Sequence, residues 1–272
     1  MKIKQYIVTY NNSTQINNCL ESIFNNLSQH ELSFLEIFII NNHTNFSIRD
    51  EFVNRVTILH NTLRPNFSTG HLSRNWNQAI INGFVDLNNP DCDILITNQD
   101  DTIFKENYIS KLIQHHTKFD FIQLGHGDNF VSYTPAAIKR IGLWDERFCN
   151  IGYQEADYLL RAFIYHSNKV SINDFMHERV YNKLDTNDII EIIATGWQRY
   201  EPYHRESAQY HNISKNIFIQ KWGFQPSKDD GAAIQFSFDM DMQNKKPLLP
   251  NFIYYPYFEK NVETLKEQNY KI

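Results

Sequence analysis

The chain has 272 residues, 42% of them hydrophobic and 14% aromatic, which is material for one large domain with a real core and excludes a disordered chain. Lys and Arg number 26 against 31 Asp and Glu, a formal charge of -5; with no basic block, a nucleic-acid partner is not expected, while a small phosphate ligand held through a metal stays open. The opening "MKIKQYIVTYNN" lacks an apolar leader core and no run approaches 18 apolar residues, so a cytoplasmic protein without a transmembrane segment is expected, any membrane contact being peripheral.

Along the chain, "IKQYIVTY" reads as a buried strand. "STQINNCLESIFNNL" follows as a helix with Ile16, Leu20, Ile23, Phe24 and Leu27 at helical spacing behind the cap candidates Ser13 and Thr14. "FLEIFII" is a second strand ending at Asn41, and "VTILHN" a third. Leu72, Trp76, Ile80 and Phe84 recur every four residues and predict a helix within 70–87, and "CDILIT" predicts the next strand. Further on, "YISKLIQHH" reads as a helix, "FDFIQLG" as a strand, "TPAAIKRIG" as a Pro-opened helix and "YQEADYLLRAFIYHS" as an amphipathic helix. Residues 188–222 read as a helical region.

This alternation predicts an α/β fold with a mostly parallel central sheet flanked by helices. From about residue 224 the chain becomes aromatic and Pro-rich, which divides it into a domain over 1–223 and a C-terminal extension over 224–272 that packs on or beside it. Cys19, Cys92 and Cys149 have no CxxC spacing and indicate neither a disulfide framework nor a zinc site.

In parallel sheets ligands gather beyond the carboxyl ends of the strands. Thr9 to Asn12, Asn41 with Asn42, and Asn98 to Asp101 fall at those ends. Adjacent carboxylates such as Asp100 and Asp101 repel one another unless a cation or water intervenes. A Mg²⁺ or Mn²⁺ ion shared with substrate phosphates meets that need. The alternative is that one of them caps a helix beginning near 103. Glu155 and Asp157 stand in a helix first turn, where the helix dipole favours carboxylates whatever their function.

Taken together, "YIVTYNN…INNCLESI", "EIFIINNHT", "RPNFSTGHLSRNWNQAI", "ILITNQDDTIF", "IGLWDERFCNIGYQEADYLLRA" and "NIFIQKWG" resemble, in order and spacing, the GT-A fold nucleotide-sugar glycosyltransferases of the large inverting family 2. The resemblance covers roughly residues 3 to 223. It implies a Rossmann-like nucleotide-binding half with a C-terminal helical and irregular extension. Its donor would be a nucleoside diphosphate sugar, most readily a UDP-sugar, and its acceptor a hydroxyl of a glycan or glycoconjugate. Position by position, it makes Asp100 a ligand of Mn²⁺ or Mg²⁺, with His177 as a second candidate, and places Asn98 at the first position of the Asp-x-Asp pattern. It puts Thr9, Tyr10, Asn41 and Arg74 around the nucleotide and diphosphate, Glu155 as general base, and Asp101 and Asp157 as acceptor or orienting groups. Asn41, Asn98 and Glu155 depart from the family's usual Asp. Trp144, Trp197, Tyr200 and Tyr203 are candidates for an acceptor surface or for core. A homo-oligomer is compatible with the sequence. The alternatives are a nucleotidyltransferase, against which "VTYNNSTQ" lacks a Gly-rich phosphate loop, and a non-catalytic sugar or nucleotide-binding module.

Overall fold

The computed structural model describes residues 1–61, 72–148, 152–174, 179–193, 201–229, 234–236 and 238–252. Its centre is an eight-stranded sheet. Strands β1 (Ile3–Thr9), β2 (Leu35–Asn41), β3 (Thr57–His60) and β4 (Ile94–Gln99) run parallel in the order β3-β2-β1-β4. Beyond β4 lie β7 (Phe130–Tyr133), β6 (Phe121–Gly125), β8 (Val170–Asp174) and β9 (Arg179–Tyr181). Strand β7 is antiparallel to both β4 and β6, and β8 is parallel to β6. The expected mostly parallel sheet flanked by helices is therefore present, and β1 is buried at every position.

The helices form where the sequence alternates with helical period. Helix α1 (Ser13–Asn26) buries Ile16, Cys19, Leu20 and Ile23 against one face of the sheet; its cap is Asn12, whose Oδ1 accepts from the Gln15 N–H at 3.2 Å, rather than Ser13 or Thr14. Two single turns, α2 (Gln29–Leu32) and α3 (Asp50–Val53), lie on either side of β2 in the chain. On the opposite face α4 (Leu72–Phe84) buries Trp76, Ala79, Ile80 and Phe84. Helices α5 (Tyr108–His116), α6 (Pro135–Ile141) and α7 (Tyr153–His166) follow the sequence reading closely.

The sequence reading assigns no strand to 102–104, 130–133, 170–174 or 179–181, and it reads one further strand as helix. "FVSY" forms β7, a four-residue strand too short and too buried for alternation to reveal. "IEI", expected within a helical region, is strand β10 (Ile190–Ile192), paired antiparallel with β5 (Thr102–Phe104). Ile190 and Ile192 flank Glu191, the period of two that a strand uses, and the pairing places Ile190 opposite Phe104, both fully buried.

From 201 onward the described part of that region is helix α8 (Glu201–Trp222), followed by the two-residue strands β11 (Lys228–Asp229) and β12 (Ile234–Gln235) and the turn α9 (Met240–Gln243). The segment up to Phe252 is tied back to residues 143–147. The Glu146 N–H donates to the Phe252 carbonyl at 2.8 Å, Arg147 to the Pro250 carbonyl at 2.7 Å and the Asn251 amide to the Leu143 carbonyl at 3.3 Å. No described helix is long and apolar enough to cross a membrane.

Candidate functional site

The sheet brings three strand ends side by side. In register, Thr9 of β1 lies beside Asn41 of β2, and Val8 beside Gln99 of β4. Beyond Gln99 the Asp100 N–H still donates to the Val8 carbonyl at 3.1 Å, which holds Asp100 against β1. The Thr9 hydroxyl then donates to Asp100 Oδ2 at 2.6 Å, a charge-assisted contact that fixes the carboxylate. Asp101 Oδ1 accepts from the Asn129 amide at 2.9 Å. No helix starts near 103, since β5 follows directly, so helix capping does not explain either carboxylate.

Asn98 does not join them. It is fully buried inside the sheet. Its Oδ1 accepts from Gln5 at 2.9 Å, and its amide donates to the Gln99 carbonyl at 2.8 Å and to Cys19 Sγ at 3.7 Å. Successive strand residues face opposite sides, and this one faces α1 and α5, where Tyr108 completes the chain through Gln5.

Asn41 is also committed. Its amide donates to the His43 carbonyl at 2.8 Å and contacts His60 Nδ1 at 3.1 Å, while its Oδ1 accepts the His43 N–H at 3.1 Å. This side-chain turn consumes the groups expected to read a nucleobase. The unmatched acceptor is next door: Asn42 is buried and its Oδ1 has no hydrogen-bond partner among the described residues. Tyr10 lies edge-on to His43, with 5.0 Å between ring centroids.

Arg74 stands in the first turn of α4, part-exposed, with its Nε 3.4 Å from Glu146 Oε2. Glu146 is itself held by the Asn77 amide at 2.8 Å.

Glu155 lies in the first turn of α7. That helix opens at Gly152, whose φ of +99° is a conformation side chains disfavour. One carboxyl oxygen of Glu155, Oε2, accepts the Gly152 N–H at 2.6 Å. Its other oxygen, Oε1, is buried with no hydrogen-bond partner among the described residues. It packs on Gly127, where an added Cβ would come within 2.7 Å of Oε1. Burial drives the Glu155 pKa well above the ordinary carboxylate range, the nearby Asp128 charge adds to this, and Arg179 opposes it.

Asp157, one half-turn on, has a different environment. Its Oδ1 is 2.6 Å from Lys221 Nζ and accepts from the Trp222 indole at 3.0 Å, while Oδ2 takes Arg161 at 3.0 Å. It is wholly buried and anchors α8 to α7. Trp144, stacked on Tyr158 at 4.1 Å, is core. His177, Trp197 and Tyr200 lie outside the described residues, as does the Tyr203 side chain.

The residue that sequence reading missed is Asp128, in the 125–129 turn between β6 and β7. It accepts from the Trp76 indole at 2.6 Å, the Gln99 amide at 2.6 Å and the Gln154 amide at 2.8 Å. Burial pushes its pKa up to about 6, with the Trp76 and Gln99 donors pulling the other way. Beside it Asp174 pairs with Arg179, whose Nε is 2.9 Å from Asp174 Oδ2, and Asp174 Oδ1 accepts the Gly127 N–H at 3.0 Å. No motif announces "GHGDNF"; only the two glycines, at φ +87° and +55°, mark a turn built for close approach.

Among the described residues no group of three or more His, Cys, Asp or Glu could by itself cage a metal. The hard oxygen donors of Asp100 and Asp101 suit Mg²⁺ or Mn²⁺ when substrate phosphates and water complete the shell.

No family model matches the chain, and no curated protein matches it by sequence. Solved structures similar to it include S. aureus TarS residues 1–349, at 13% identity and TM-score 0.47, covering 78% of this chain and 65% of that one. The mannosyltransferase PcManGT from Pyrobaculum calidifontis, in complex with GDP-Man and Mn²⁺, is 12% identical at TM-score 0.49, covering 80% of this chain and 64% of that one. Glucosyl-3-phosphoglycerate synthase from Mycobacterium tuberculosis, with Mn²⁺ and UDP, is 12% identical at TM-score 0.40, covering 62% of this chain and 68% of that one. The chain thus spans less than two thirds of the first TarS structure and 43% of the longer TarS chain.

Proposed function

We propose that the chain is an inverting glycosyltransferase of the GT-A kind, related to family 2, moving a sugar from a nucleoside diphosphate sugar to an acceptor hydroxyl. The observation that carries this reading is the link through Asp128. One carboxylate bonds both Gln99, next to Asp100, and Gln154, next to Glu155, which supports reading the two acidic groups, far apart in sequence, as parts of one site.

Asp100, braced by Thr9, and its neighbour Asp101 are the groups that would hold a divalent metal. When bound, that metal neutralises charge on the leaving diphosphate, an effect worth several kcal/mol in metal-assisted chemistry. Arg74 would add positive charge on the same side. The Asn42 carbonyl oxygen is the acceptor available to a base N–H, with Tyr10 at the nucleoside edge.

Glu155 is the general base. As the acceptor oxygen bonds to the anomeric carbon, its proton passes to the Glu155 carboxylate, and the bond from that carbon to the diphosphate oxygen breaks with its electron pair leaving on the diphosphate. A single displacement inverts the anomeric configuration. Burial makes the Glu155 carboxylate a stronger base than an exposed one, at the cost of a smaller ionised fraction near neutral pH.

Thermal-shift binding of UDP-, GDP- and dTDP-sugars with and without Mn²⁺, followed by transfer assays with Glu155→Gln, tests the reading. The expected result is metal-dependent donor binding that survives the substitution and turnover lowered by about 10²-fold or more. Binding to none of these donors, or normal turnover in the variant, overturns it.

A further inference from the structure

Asp128 is fully buried, and no cation is paired with it among the described residues. Burying a carboxylate is expensive. A neutral amide or hydroxyl would fill the same turn, so the retained charge calls for a reason beyond folding.

Its three donors come from three different elements. Trp76 sits two residues after Arg74 on α4, Gln99 ends β4 immediately before Asp100, and Gln154 immediately precedes Glu155 on α7. The Ser73 hydroxyl closes the loop by donating to Gln154 Oε1 at 3.2 Å, which ties α4 to α7 directly. Thus the segments carrying Arg74, Asp100 and Glu155 are each hydrogen-bonded to one carboxylate. The neighbouring Gly127 is the surface on which Glu155 Oε1 rests.

We propose that Asp128 is a positioning residue, fixing the Asp100 strand end, the Arg74 helix end and the Glu155 helix end relative to one another. This rests on the transfer reaction proposed above only for what Glu155 does, not for how Asp128 acts on it.

Among the described residues, the charged groups facing Glu155 are Asp128 from the 125–129 turn, Asp174 from β8 and Arg179 from β9. The first two oppose its ionisation and the third favours it. Removing the Asp128 charge therefore makes Glu155 easier to ionise.

Asp128→Asn is the discriminating variant. Its carbonyl oxygen can still accept from Trp76 and Gln154, and the Gln99 amide can turn over to accept from the new NH₂, so the bonding survives while the charge is lost. The Glu155 carboxyl is followed by ¹³C NMR titration on the full chain, its signal identified by its loss in Glu155→Gln. Its midpoint should fall by about one pH unit, the lower end of what a close charge produces. The acid limb of the kcat profile should move to lower pH with it, because a general base works in its ionised form.

Trp76→Phe leaves the carboxylate in place and removes one of its donors. Because that donor stands on the helix carrying Arg74, the variant should lower kcat several-fold and raise the donor KM. An unmoved midpoint in Asp128→Asn, with kcat and thermal stability falling together, overturns the proposal, as do an unchanged kcat and an unchanged donor KM in Trp76→Phe. A moved midpoint in a protein that transfers no sugar upholds the action of Asp128 on Glu155 and overturns the transfer reading alone.

Discussion

The ammonium of Lys221 lies 2.6 Å from Asp157, with both side chains wholly buried, and 2.8 Å from a second buried carboxylate, Asp145. Two helices and the 143–147 segment are joined by this one cation. Replacing Lys221 with Met leaves two buried carboxylates short of a partner and should cost about 3–5 kcal/mol of stability, read as a lowered urea midpoint. Asp157→Asn should likewise lower stability without changing the acceptor KM. A raised acceptor KM at unchanged stability would return Asp157 to an acceptor-orienting role.

Asp145 adds a pH dependence. Burial raises its pKa, but Arg147 and Lys221 outweigh this and hold it below the ordinary carboxylate range. A folded-state pKa below the unfolded value of about 3.9 means that the stability it contributes is present above that pH and is lost as the pH falls through the folded value. Wild-type urea midpoints should therefore drop more steeply below about pH 4 than those of Asp145→Asn.

Thr9→Val removes the hydroxyl that donates to Asp100 Oδ2 at 2.6 Å. Hydrogen bonds to charged groups contribute about 1.5–3 kcal/mol, so donor affinity in Mn²⁺ should weaken by roughly tenfold or more by calorimetry. Asp100→Ala should abolish the metal-dependent part of binding altogether. Unchanged Mn²⁺ dependence in that variant would take Asp100 out of the site.

Glu155→Gln should stabilise the fold near neutral pH while it removes the base. The Glu155 pKa is raised on folding, so the folded state binds this proton more tightly, and the group weakens stability as pH rises from its unfolded value toward its folded one. Glutamine keeps an oxygen for the Gly152 N–H and carries no charge. Melting curves should show the variant above wild type at pH 8 and converging with it at pH 4; equal curves at both would contradict the burial argument.

Asn41→Asp should not restore the usual family arrangement. The Asn41 amide donates to the His43 carbonyl, and a carboxylate oxygen there would face another acceptor. The contact with His60 Nδ1 survives only if that nitrogen carries a hydrogen, and stability should fall by about 1–3 kcal/mol, read as a lowered urea midpoint. Asn42→Ala should instead weaken nucleotide binding at little cost in stability.

The strands carrying Thr9, Asn41 and Gln99 were legible because long apolar runs break abruptly into polar residues, and parallel sheets place such breaks at one edge. The helices were legible from their period. What Asn98 and Asn41 do was not, because strand facing and side-chain turns decide it, and both depend on distant partners such as Gln5 and His60. Asp128 was the hardest to read. Its three donors lie 52, 29 and 26 residues away in the chain, so no local spacing marks it. Strand β10 was misread because "DIIEII" fits both periods, and only pairing with Phe104 chooses between them.

Residues 248–252 are fastened at both ends of a short span. The Leu248 N–H donates to the Lys221 carbonyl at 2.6 Å, and Asn251 Oδ1 accepts from Lys221 Nζ at 2.6 Å. A shortened chain stopping at 223 would strip that lysine of one of its acceptors and leave Arg147 without the Pro250 carbonyl. Anyone trimming the protein for crystals or expression should keep it at least through Phe252, because residues 248–252 serve as a buttress for the middle of the chain.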